Sequence, residues 1–336
     1  MIRRRPNVLL LVLAMASFAL GCRSRSREVV VYLSIDQVFT QPLLGDFERQ
    51  SGVKVRAVFD TEETKSTGVL NRIVAEGANP QADVFWSGDP VRPYLLVKRG
   101  LVRPYVSPSA AAVPPAFKAA DGSWTGGAAR ARLLLVNRNR VKPDERPRSV
   151  RDLAAPRWKG QTAIANPLFG TTTMHVAALA DAWGDDALKA FLGQLKSNGC
   201  RVASSNGEVK RLVAAGEVAF GLADTDDAAE ALHDGAPIEV VYPDQEGMGT
   251  LLMPTAVVPL AGPHPEEARR LVDFLLSTAA EQKLVELASH IPLRADVSPP
   301  AGGRRASDIK TMQVDYSRIA DTMERLQPWL REWAGL

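Results

Sequence analysis

Val29–Leu33 reads V-V-V-Y-L, five apolar residues with no polar alternate. A strand without alternation is covered on both faces, as in a parallel sheet packed between helices. Val53–Phe59 and Asp83–Trp86 read as two further strands, and helical patterns over Pro42–Ser51 and Gly68–Glu76 end at Gly52 and Gly77. Strand–loop–helix units at this spacing predict an α/β fold with mostly parallel sheets. Polar residues follow each strand: Ser34 and Asp36, Thr61, then Ser87 and Asp89. They mark one rim of a sheet, where α/β proteins place ligands.

The same grammar returns in the second half. Strands are expected at Arg132–Val136, Thr162–Ala165, Arg201–Ala203, Val218–Ala223, Glu239–Tyr242 and Gly249–Leu260, with Trp124–Gly127 as a turn. Helices are expected over Met174–Trp183, Asp185–Ser197, Asn206–Ala215, Pro265–Leu276 and Ala279–Leu287. Val314–Trp333 reads as a helical tail broken or kinked near Pro328. The two α/β units are joined by strand-like crossings at Arg132–Asn137 and Thr250–Val258. That predicts a discontinuous lobe one, 29–132 plus 255–336, and a lobe two, 133–254. Two crossings make a hinge, and closure around a ligand is the motion it permits.

The N-terminus is set apart from the fold. Arg3-Arg4-Arg5, an apolar Val8–Leu20 and Ala19-Leu20-Gly21-Cys22 form a secretory signal over residues 1–22, too short for a comfortable membrane span. The cysteine makes it resemble a bacterial lipoprotein signal, with Cys22 acylated and residues 23–28 as a tether; an ordinary signal ending near Gly21 is the alternative. The remaining length suits about two domains. The chain holds 41 Lys and Arg against 38 Asp and Glu. Loss of the three signal arginines leaves charge balance, and nothing calls for nucleic acid. Cys200 then has no partner, which excludes a disulfide framework.

Val218–Leu232 holds the main candidate site. Its apolar strand stops at Asp224-Thr225-Asp226-Asp227 and opens directly into a helix. The carboxylates read either as helix caps or as a ligand wall for something cationic. Gly170-Thr171-Thr172-Thr173 opens another helix, offering free N–H groups and hydroxyls to an anion, or simply a hydroxyl cap with exposed threonines. Tyr242 ends a strand and either lines the cleft or packs at the hinge. His175, His233, His264 and His290 show no zinc spacing. No nucleophile motif, phosphate loop or dinucleotide fingerprint is present, so an enzyme is not expected.

Six motifs occur in order: V-V-V-Y-L-S-I-D-Q, D-F-E-R-Q-S-G-V-K-V, N-P-Q-A-D-V-F-W-S-G, R-W-K-G-Q-T-A-I-A-N-P, A-A-G-E-V-A-F-G-L-A and H-P-E-E-A-R-R-L-V-D-F-L-L-S. Over roughly Val29–Ile291 the chain resembles the periplasmic solute-binding proteins of bacterial ABC importers, ferric-iron-binding branch. The resemblance implies a type II two-lobed fold with an interlobe cleft, no enzymatic activity, and delivery to an ABC permease with its ATPase. It implies an anion site at Thr171–Thr173 with Asn206 nearby. Iron binders of this kind carry paired tyrosines where this chain has Thr225-Asp226-Asp227, and some carry His or Tyr where it has Asp36-Gln37. The tyrosine clamp is therefore absent.

The expected ligand contacts are Ser34, Asp36, Asp89, Thr171, Thr172, Thr173, Asn206, Thr225, Asp226, Asp227 and Tyr242, with Asp226 and Asp227 as metal ligands. Carboxylates are hard oxygen donors. The expected cargo is ferric iron, as Fe3+ with a synergistic anion or another iron–anion complex. A zwitterionic or cationic organic solute is the alternative: an aminoalkylphosphonate, thiamine or a polyamine. A lipid-anchored sensor and a carboxylate-based hydrolase are the readings of another class. No cofactor is required, and a monomer in the periplasm or at the cell surface is expected.

Overall fold

A computed structural model describes residues 27–60 and 67–336. The expected signal, Cys22, most of the tether and Thr61 lie outside the described residues. Strand β1 (Glu28–Leu33) pairs in parallel with β2 (Lys54–Phe59) and β3 (Val84–Ser87), with helices α1 (Gln37–Ser51), α2 (Gly68–Glu76) and α3 (Arg92–Val97) between and after them. Val29, Val31 and Leu33 face one apolar cluster and Tyr32 the opposite one. Both faces of β1 are covered, which is why the strand carries no polar alternate. Helix α1 begins at Gln37, not Pro42, because the Asp36 carbonyl accepts from the Thr40 N–H and hydroxyl and closes a turn earlier.

Strand β4 (Thr125–Asn137) runs through both halves of the molecule. The expected turn at Trp124–Gly127 is instead the start of this strand. Beyond it come β5 (Thr162–Ala165), α4 (Gly170–Trp183), α5 (Asp185–Ser197), β6 (Arg201–Ala203), α6 (Asn206–Ala214), β7 (Phe220–Asp224), α7 (Thr225–His233) and β8 (Ile238–Val241). Strand β9 (Leu252–Pro259), α8 (Pro265–Leu275), α9 (Thr278–Ala288) and α10 (Tyr316–Ala334) complete the described chain. Strand order is β2-β1-β3-β9-β4-β7-β5-β6, with β8 also on β4. The outer pairings are parallel, while β4 and β9 run antiparallel to their neighbours.

The first half of β4 pairs with β9, and the second half with β7 and β8. One strand thus belongs to two lobes. Helix α10 continues through Pro328 without interruption. Its first turns pack among Tyr32, Phe85 and Leu96, and its last turns among Leu188, Leu192 and Leu195. The segment 255–336, expected in lobe one, therefore ends in a helix lying across both lobes. Among the described residues no helix is long and apolar enough to cross a membrane.

Candidate functional site

Three strands of the second lobe, β5, β6 and β7, end at one rim, where α4, α6 and α7 begin. Their N-termini surround a cavity of about 320 Å³. Ser34 and Asp36, from the end of β1, close it from the first lobe. Arg130 stands at the seam. It donates to the Gly88 carbonyl of the first lobe at 2.6 Å, while its other guanidinium arm lies 3.3 Å from Asp224 and 3.8 Å from Asp226.

Behind this wall is a buried charge cluster. Arg132 and Asp224 are register partners across β4 and β7, 0% and 1% exposed, with Nη1 and Oδ1 2.5 Å apart. Arg132 also donates to the Thr171 hydroxyl at 3.0 Å and the Thr172 hydroxyl at 3.1 Å. Asn206 donates to Thr171 Oγ1 at 2.9 Å, and the Thr171 hydroxyl in turn donates to Asp224 Oδ2 at 2.8 Å. That hydroxyl accepts twice and gives once, so its capacity is spent inside the protein. An anion at the mouth of α4 therefore cannot draw on the Thr171 hydroxyl, but it meets backbone N–H groups that no side-chain cap occupies.

Charge states follow from this packing. Burial drives the Asp224 carboxyl upward, but Arg132 and Arg130 outweigh it and hold the group below the usual carboxylate range. Burial, then the charges of Asp226 and Asp224, push Asp227 well above that range. The Asp227 carboxylate accepts from the Asp224 N–H at 3.2 Å, so the capping reading describes it well. Burial opposes the charge of Arg130, yet Asp226, Asp224, Asp36 and Asp227 together raise its pKa. Burial, reinforced by Arg132 and Arg130 respectively, lowers His175 and His290 to about 3, so both are neutral.

Ser34, Asp36, Thr171, Thr172, Asn206, Asp226 and Asp227 line one cavity. Asp89, Thr173, Thr225 and Tyr242 do not line it. The Asp89 carboxylate accepts from the N–H groups of Val91 and Arg92 and pairs with the Arg92 side chain, which fixes the start of α3. Thr173 and Thr225 are buried in their helices. Tyr242 packs under the Arg304 guanidinium, 4.7 Å from its ring centroid. Asp224, Asp226 and Asp227 each present a carboxylate oxygen within 4.8 Å of the others. Asp224 is committed to Arg132 and Asp227 accepts from the Asp224 N–H, so the three do not stand as an open set of cation ligands.

Sequence reasoning missed Arg130, Arg132, Lys210, Arg211 and Glu230, which give the site its balance of charge. A signal was present. Arg130 and Arg132 are the only charges inside β4, two residues apart and hence on one face. Charged residues in a buried strand are rare without partners.

Residues 28–286 match the family described as bacterial extracellular solute-binding protein. The chain belongs to this family. Among relatives of this solute-binding protein, iron uptake protein A1 of Synechocystis sp. is 30% identical over 284 residues, covering 81% of this chain and 77% of that protein. A putative 2-aminoethylphosphonate-binding periplasmic protein of Salmonella typhi is 26% identical, covering 97% of this chain and 92% of that protein. The crystal structure of apo ferric ion-binding protein A from Pasteurella haemolytica shares the two-lobed fold with a TM-score of 0.82. It is 23% identical and covers 92% of this chain and 98% of that chain.

Proposed function

We propose that this solute-binding protein captures a small ligand between its lobes and delivers it to the permease and ATPase of an ABC importer. The observation that carries this reading is the opposed charge of one cavity wall: Asp36 and Asp226 beside Arg130, Lys210 and the uncapped N-terminus of α4. A bare cation would meet the arginine and lysine, and a bare anion the carboxylates. A ligand carrying both charges satisfies both. Ferric iron arriving with its anion is such a ligand, with Asp226 and Asp36 as oxygen donors and the anion at α4. Iron is the cargo named for the iron-uptake relative.

A second reading rests on the cavity wall holding no tyrosine among the described residues. An aminoalkylphosphonate places its ammonium at Asp226 and its phosphonate at α4, which accords with the Salmonella relative's name. In either case lobe one comprises 29–132 and the segment from 255 to the start of α10, lobe two comprises 133–254, α10 lies across both, and Cys22 anchors a monomer to the membrane. The commitment of Asp224 to an ion pair and of Asp227 to a cap supports binding rather than hydrolysis. Thermal shift of the mature protein tests the reading. Saturating ferric citrate or 2-aminoethylphosphonate should raise the melting temperature by about 5 °C or more. A shift with putrescine or thiamine and with neither of these would sink it.

A further inference from the structure

Lys210 and Glu230 meet across the rim of the cavity, from the second turns of α6 and α7, with Nζ 2.5 Å from Oε2. The two partners are unequal: the Lys210 side chain is 13% exposed, that of Glu230 63%. A solvated carboxylate leaves an ion pair at little cost. A largely buried ammonium that loses its partner needs another.

The other cations at the cavity are differently placed. Arg132 is sealed behind the wall in its pair with Asp224. Arg130 is held by Asp224, Asp226 and the Gly88 carbonyl at once. Arg211 is exposed. Lys210 is the cation that combines burial beside the cavity with a partner able to step aside. From α7, Asp227 also feels its charge.

We infer that Lys210 reads the charge of the ligand: an incoming anionic group replaces Glu230, whose carboxylate turns to solvent. The inference rests on the reading that the cavity takes a ligand with an anionic end. Charge-assisted hydrogen bonds to a partly desolvated ammonium are among the stronger polar contacts. Glu230 therefore acts as a stand-in that keeps Lys210 satisfied while the cleft is open. Its effect has a definite sign, since it competes with anions and assists cations.

Calorimetric titration of the mature protein with ferric citrate, 2-aminoethylphosphonate and putrescine tests this. For whichever anion-bearing probe binds the wild type, Glu230→Gln should tighten binding about threefold. Lys210→Met should weaken it about tenfold or more, and Lys210→Arg should restore it to within about threefold of wild type. Restoration by arginine separates a charge-reading role from a packing role. Weaker binding in Glu230→Gln, or unchanged binding in Lys210→Met, would overturn the assignment while leaving the ligand class intact. Failure of the wild type to bind either anion-bearing probe would overturn the ligand class and the Lys210 assignment together.

Discussion

At the scale of single residues the site is organised by a charge that never touches solvent. Arg132 holds Asp224, Thr171 and Thr172 in place. Removing one member of a buried pair strands the other. Arg132→Met is expected to cost about 3–5 kcal/mol in urea unfolding at neutral pH, and Arg132→Met with Asp224→Leu to recover a large part of that. The native Asp224 pKa is depressed, so its contribution is present above the ordinary carboxylate value and lost as pH falls through the native one. The gap between wild type and Arg132→Met should therefore narrow in acid; a gap independent of pH would refute the pairing as its cause. The capping roles at the start of α7 were legible, because Asp-x-x-Asp at a strand–helix junction has a local meaning. The hydrogen-bond partners of Arg130 and Arg132 were not, since they lie 39 to 94 residues away.

At the scale of elements, β4 decides the geometry. Its Gly126-Gly127 pair imitates a turn in sequence but serves close packing in the sheet. A Cβ on Gly126 would stand 2.7 Å from the Phe117 carbonyl oxygen and 3.1 Å from Pro254 Cβ, and the register with β9 shifts between Gly127 and Ala129. Gly126→Ala should lower stability by about 1–3 kcal/mol in denaturant unfolding, through backbone displacement rather than lost contacts. An unchanged midpoint would mean that the neighbouring chain yields freely. The other strands and most helices were readable from apolar runs and glycine stops. At β4 a local rule lost to a neighbour distant in sequence, whereas at α1 the override is itself local: the hydrogen bonds to Asp36 from three and four residues on carry the helix back past Pro42.

At the scale of the whole molecule, two α/β units could be read from their repeated grammar, but not the helix that binds them. The amphipathic pattern of α10 announces an apolar face without saying what covers it. In the structure its start packs beside Trp124 and its end beside Leu192, where Trp333 Nε1 donates to the Leu192 carbonyl at 3.2 Å. Leu330→Ala should cost about 2–5 kcal/mol and leave one calorimetric transition, because the helix couples both lobes. Two separated transitions would show the lobes melting independently. The place of β9 between β3 and β4 also bears on how the protein is made. Residues 84–87 must wait for 252–259 before their edge is paired. Through most of translation the nascent chain keeps an open strand edge, prey to aggregation unless a chaperone shields it. That same delay would keep the polypeptide threadable, as the membrane anchoring proposed above requires of a chain that must pass a secretion channel.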